Sequence, residues 1–244
     1  MTQQSLYQQV AQLNRQKHKK LQFTPQKDLS FTQKMNSVPV NGLEFFVASR
    51  DLPIVFIKNK DDSYMPLALL SLSNEGHYLL TDKGAWNADI YMPVFLRRYP
   101  FTLTAKGAVC IDTKAPHFAN KNTGTSLLTE DGEFSSVLNS AMKLLTRFDK
   151  QAERTREYME ACKAADIFKP CNFNVKQGKN KALRLDGLFI IDEQKLIKLP
   201  AETVAEWHKK GWLAWSYAQI HSMGAMERLV RRQKDHDKAT VKAS

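Results

Sequence analysis

Cysteine is scarce and poorly placed for chemistry. The 244-residue chain holds three, Cys110, Cys162 and Cys171, an odd number without C-x-x-C spacing. That argues against a disulfide framework or a thiolate zinc site and leaves free thiols, which behave as small apolar side chains. Long apolar runs are missing too. The longest, Pro66–Leu72 and Gly187–Ile191, fall far short of the roughly 20 residues that a spanning helix needs. The start, MTQQSLYQQV, lacks a basic stretch leading into an apolar core, so no secretory leader is expected and the chain is expected in the cytoplasm. Glycine-rich phosphate loops of the G-x-G-x-x-G or G-x-x-x-x-G-K-S/T type are absent, as are G-x-S-x-G and H-E-x-x-H. The histidines are scattered, and His208 and His221 are not spaced to share a helix face as ligands. No metal and no cofactor is expected.

Acidic residues are in the minority, 25 against 36 Lys and Arg, for a net charge of +11. The excess is uneven. Arg15, Lys17, Lys19, Lys20, Lys27 and Lys34 face only Asp28 before residue 37, and Arg228–Lys242 is again rich in cations. Basic ends attract polyanions and anionic membrane surfaces. No aromatic residue interleaves with the run Arg15–Lys20, however, which argues against nucleic acid bound by stacking. The remaining composition, 43% hydrophobic and 25% charged, is that of a folded globular protein. Residues 1–36 read as a basic, weakly structured extension, with a short amphipathic helix through Leu6, Val10 and Leu13. Residues 37–244 read as a single α+β domain with a basic C-terminal tail.

The first half carries strand signals: Glu44–Ala48, Ile54–Lys58, Met65–Leu72, His77–Thr81, Phe101–Ala105 and Ala108–Asp112, separated by turn-forming stretches. Asn59–Ser63 and Ser73–Gly76 have the length of hairpin loops, so antiparallel pairing is expected. Residues 114–132 read as a long loop. A helix follows from about Glu133 to Phe168, its apolar residues recurring at three- and four-residue steps until Pro170. Cys171–Val175 and Leu183–Ile191 predict a hairpin around Lys176–Lys181. Asp192 caps a short helix, Pro200 opens another that Gly211 ends, and Trp212–Lys234 forms a terminal helix. The fold class is α+β: a mainly antiparallel sheet packed against one long helix and C-terminal helices.

The densest unusual segment is Trp86–Phe101, with Trp86, Asp89, Tyr91, Arg97, Arg98 and Tyr99. Paired arginines among aromatics can bind a carboxylate, phosphate or sugar, the rings stacking and the guanidinium groups bonding in bidentate fashion. Equally, they can form a packed corner in which an arginine pairs with Asp89 or Asp112. Asp112 and His117, at a strand end entering a loop, are candidates for an acid/base pair.

That segment also carries a likeness. Met65–Leu70, Gly84-Ala85-Trp86-Asn87-Ala88 and Tyr91-Met92-Pro93-Val94-Phe95-Leu96-Arg97-Arg98-Tyr99-Pro100-Phe101 resemble the bacterial SapC family. Cys110-Ile111-Asp112, Thr129–Glu133 before a long helix, and Leu185–Glu193 continue the resemblance, which spans roughly residues 37–235. The family takes its name from a protein associated with secretion of surface-layer proteins, and it brings no catalytic residues to carry over. The resemblance implies a non-catalytic accessory protein with a surface- or secretion-related protein partner. Two other readings stay open: an enzyme or sensor binding an anionic or sugar-like small molecule at Trp86–Phe101, and nucleic-acid or membrane-surface binding through the basic ends.

Overall fold

The structure, a computed structural model, describes residues 6–72, 76–119, 123–177 and 181–243, with residues 174–177, 181–184 and 237–243 described by backbone alone. The strands are β1 (Val10–Gln12), β2 (Gln22–Phe23), β3 (Ser37–Pro39), β4 (Ile54–Lys58), β5 (Tyr64–Leu69), β6 (Phe101–Leu103), β7 (Val109–Asp112), β8 (Thr125–Ser126), β9 (Phe168–Gln177) and β10 (Lys181–Ile191). The helices are α1 (Gly42–Ala48), α2 (Val94–Arg97), α3 (Ser136–Ala164), α4 (Glu193–Ile197), α5 (Ala201–Lys210), α6 (Trp212–Ser222) and α7 (Met226–Ala243). Among the described residues, no helix is long and apolar enough to cross a membrane.

The main sheet has the order β3-β5-β4-β10-β9, with every neighbouring pair antiparallel. A second sheet, β1-β7-β6, and the small β2-β8 pair lie outside it. The fold is α+β, as the residue pattern predicts. Helix α3 packs on β5, β6 and α1, while α6 packs on β4, β10 and α1. Their meeting point is an aromatic core. Tyr158 of α3 meets Trp215 edge-on at 5.4 Å, touches Phe45, Trp207 and Trp212, and donates its hydroxyl to Ser216 at 2.8 Å. Such ring pairs favour edge-to-face geometry because positive ring edges meet negative faces.

Helix α6 is bolted to the sheet by two side chains: Ser222 accepts the Ile54 N–H of β4 at 2.9 Å, and Gln219 bridges two strands. Gln219, fully buried, accepts the Ile191 N–H of β10 at 3.0 Å and donates to the Ile54 carbonyl of β4 at 2.8 Å. Replacing it by leucine keeps the volume but orphans a buried donor and a buried acceptor. The expected loss is about 2–4 kcal/mol, read from urea unfolding.

Several expectations are corrected. Glu44–Ala48 is helix, not strand: the Glu44 carboxylate accepts the Asn41 N–H at 3.0 Å and closes the first turn of α1. Gly42 lets that turn lie against Trp215, since a Cβ there would collide with the indole. His77–Thr81 makes only a bridge between Leu80 and Trp86. The loop 114–132 contains a 3-10 turn at Pro116–Phe118 and strand β8. Helix α3 ends at Ala164, before Asp166 takes a left-handed φ of 49°, and Pro170 lies within β9, an edge strand where proline is tolerated. The terminal helix is two helices, α6 and α7, interrupted by a 3-10 turn at Met223–Ala225 that contains Gly224. Asp192 and Gly211 cap as expected, and the β9–β10 hairpin forms. Its tip at 178–180 lies outside the described residues, as does the Ser73–Gly76 turn apart from Gly76.

The N-terminal segment differs most from expectation. Residues 10–12 form no helix but add to β7 as an edge strand, Leu6 is buried, and the Leu13 N–H reaches the Val109 carbonyl at 2.8 Å. A three-residue apolar stripe cannot hold a helix by itself, whereas the open edge of β7 offers a ready ladder.

Two buried histidines give the fold an acid limit. His77 Nδ1 accepts the Leu79 N–H at 3.4 Å, and Nε2 lies 3.2 Å from the Thr32 hydroxyl, which itself donates to the Leu29 carbonyl. This wiring requires the neutral ring protonated at Nε2. Burial pushes both His77 and His117 down to about 4, from an ordinary value of 6.5. With the folded value below the unfolded one, the unfolded chain binds more protons between these limits. The histidine contribution is therefore complete above about pH 6.5 and is lost as pH falls through about 4. The urea midpoint is expected to fall steadily across that window, and His77→Gln should flatten the fall.

Candidate functional site

The candidate site is built on α1 and the segment that crosses it. Two buried carboxylates pin residues 87–94 in place. Asp51, just after α1, accepts the Tyr91 N–H at 3.0 Å. Glu44, within α1, accepts the Tyr91 hydroxyl at 3.0 Å and the Val94 N–H at 2.8 Å. Burial alone would raise the Asp51 carboxyl. The hydrogen bonds from Arg50 and Tyr91, with the charges of Arg50 and Arg228, outweigh burial and hold it below the usual carboxylate range. Burial, then the Glu44 charge, push the Tyr91 phenol far up, so it stays a donor at any ordinary pH.

Between this segment, α1 and α6 runs an open groove of about 980 Å³. Its α1 wall is Phe46 and Val47, its α6 wall Ala214, Tyr217 and Ala218, and its third wall Ile90, Tyr91 and Met92. Helix α1 has only seven residues, yet Leu43, Phe46 and Val47 are 43%, 76% and 49% exposed. Tyr217 adds a ring that is 49% exposed. Polar groups sit around this apolar floor: Arg50, Arg97, His221 and Ser49. Ser49 donates its hydroxyl to the Phe46 carbonyl at 2.9 Å, and Arg50 holds Asp51 at 2.9 Å.

Of the residues singled out from the sequence, Tyr91 and Arg97 line the groove. Arg97 donates to the Tyr91 hydroxyl at 3.1 Å, lies over that ring at 5.6 Å, and makes no ion pair among the described residues. Arg98 turns away from it. Its guanidinium lies 4.4 Å from the Phe148 ring and 4.9 Å from Phe95, and its buried Nε has no partner. The two arginines therefore do different work. Arg98→Ala is expected to lower stability by about 1–3 kcal/mol through lost packing and cation–π contact. Arg97→Ala should stay within about 0.5 kcal/mol. Paired urea melts measure the split.

Trp86 packs beside His77 and donates its indole N–H to the Ile90 carbonyl at 2.9 Å, which shapes the groove wall from behind. Asp89 is exposed, and its backbone carbonyl accepts from Arg50. Tyr99 is buried and donates to Asp112 at 3.0 Å. Asp112, fully buried, also accepts the N–H groups of Gln8, Gln9 and Lys114. His117 stacks on Phe23, and its buried Nδ1 has no partner, so Asp112 and His117 are not joined as an acid/base pair through that nitrogen.

Sequence reasoning missed Phe46 and Val47 because it read Glu44–Ala48 as a strand, and it left out Leu43 just before that stretch. A signal was present: Asn41-x-x-Glu44 ahead of an apolar run is a helix-start pattern. On that helix Phe45 and Ala48 face inward and Leu43, Phe46 and Val47 outward. Arg147, on the exposed side of α3, also went unmarked.

Fold and groove together define an α+β protein with an open apolar groove rimmed by cations. The family model named SapC matches residues 13–229, and the chain belongs to the SapC family. The match begins well inside the segment first read as an extension, in keeping with the pairing of β2 with β8 and the packing of Phe23 against Phe101. No match was found among curated proteins or among solved structures.

Proposed function

We propose that this protein is a non-catalytic binding protein that docks an acidic amphipathic segment of a partner protein in the groove along α1. The observation that carries the reading is the outward face of α1, three large apolar side chains beside a 980 Å³ groove. Isolated exposed apolar residues are ordinary, but a contiguous patch rimmed by polar groups marks an interaction site. A trough of this kind suits an amphipathic helix laid in with its apolar side down. Charge selects the acidic partner: Arg97 and Arg147 have no carboxylate partner among the described residues, and the chain carries +11 overall. The family's association with surface-layer secretion supports an exported or surface protein as the partner, met in the cytoplasm before export.

A photo-crosslinking residue placed at position 46, and separately at 217, tests this in the native host. The expected result is one exported protein trapped from both positions and not from Ile197, which is exposed on α4 outside the groove. The trapped segment, made as a peptide, should bind the purified chain. Crosslinks only to a second copy of the chain, or equal trapping from position 197, would overturn the reading.

A further inference from the structure

Val47, Tyr91 and Arg97 line the main groove and also a second cavity of about 340 Å³. The far side of that cavity is Leu144, Arg147 and Phe148 on α3, with Leu43 and Glu44 contributed by α1. Its charges are unbalanced in a specific way. The Glu44 carboxylate is already occupied by the Asn41 and Val94 N–H groups and by the Tyr91 hydroxyl. Arg97 gives one N–H to Tyr91, and Arg147 makes no hydrogen bond or ion pair among the described residues. Two guanidinium groups thus border one small cavity with a single carboxylate, Glu44, whose oxygens already face the Asn41 and Val94 N–H groups and the Tyr91 hydroxyl, which leaves a surplus of positive charge. Like charges gathered this way repel, and an anion placed between them removes that cost. Guanidinium groups fit carboxylates best, through paired N–H bonds in one plane.

We propose that this cavity is the subsite for the carboxylate of one Asp or Glu side chain of the docked segment. Arg97 and Arg147 grip the carboxylate while apolar residues of the same segment fill the groove. The inference rests on the docking reading above and adds what fixes the segment's register: apolar anchors alone would let it slide along α1. Because Arg97 lines both spaces, acid and anchors must lie on one face of the bound helix, three or four residues apart.

The test pans a phage-displayed library of random 12-residue peptides on the full chain, on Arg147→Gln and on Phe46→Asp. Arg147 is exposed, so its variant should melt with the wild type. Wild type is expected to enrich peptides with apolar residues at helical spacing and an Asp or Glu in fixed register. On Arg147→Gln the apolar pattern should persist and the acidic preference disappear. A synthetic winning peptide should bind Arg147→Gln about tenfold more weakly, and changing its acid to the amide should remove that difference. Apolar enrichment without an acidic preference, or equal loss from the amide on both proteins, would overturn the subsite and leave docking intact. No enrichment on wild type, or enrichment unchanged by Phe46→Asp, would overturn docking itself.

Discussion

Asp112→Ala is expected to be the most destabilising single change away from the aromatic core, at about 4 kcal/mol. The carboxylate is fully buried and accepts the N–H groups of Gln8, Gln9 and Lys114 and the Tyr99 hydroxyl. Alanine would leave those donors without an acceptor, and the N-terminal strand would lose the group that fastens it to β7. Asparagine should do little better, because its amide would point donors at donors. Two readouts separate this from a general loss of packing. Urea unfolding should shift, and trypsin should cut between Arg15 and Lys20 faster than elsewhere as β1 frays from its edge. Although burial alone would raise this carboxyl, its hydrogen bonds hold it below the usual range. Its contribution is therefore present above the unfolded value and lost as pH falls through the lowered folded one. That acid step lies below the histidine window and should vanish in the variant.

Phe46→Asp is expected to have the largest effect on recognition. A side chain that is 76% exposed contributes little to folding, so the melting temperature should move by no more than the equivalent of about 0.5 kcal/mol. Binding of the partner segment should weaken by about a hundredfold or more, because a large apolar anchor is exchanged for a charge that must be desolvated. The new carboxylate would also repel the acidic face of the segment. Phe46→Leu, which keeps an apolar group of similar reach, should retain most of the affinity, and isothermal titration of both variants reads the contrast.

Much of the fold was legible because its signals are local. The stripe through α3, the Asp192 cap, Gly211 after α5 and the β9–β10 hairpin depend on residues close in sequence, and each formed as the pattern implies. Failures arose where distant contacts decide. Pro170 reads as a helix stop, yet the stop is earlier, at Asp166, and proline is accommodated because β9 is an edge. The stripe Leu6–Val10–Leu13 reads as a helix until β7 supplies a ladder a hundred residues away. The arginine pair divides for a similar reason. Adjacent residues on the short turn of α2 project in different directions, one into the groove and the other among Phe95 and Phe148. Most of the conspicuous segment Trp86–Phe101 is framework. Glu44 and Asp51 hold it in position, and the exposed apolar face of α1 beside it was hidden by the strand reading.

The central claim, that α1 and its groove form the recognition surface, is tested most directly by hydrogen–deuterium exchange of the full chain with and without the crosslinked partner segment. Slowed exchange confined to residues 42–50, 88–97 and 212–221 is the predicted result. Protection at residues 15–20 or along α7, with the α1 groove unchanged, would contradict it and place binding on the basic ends instead.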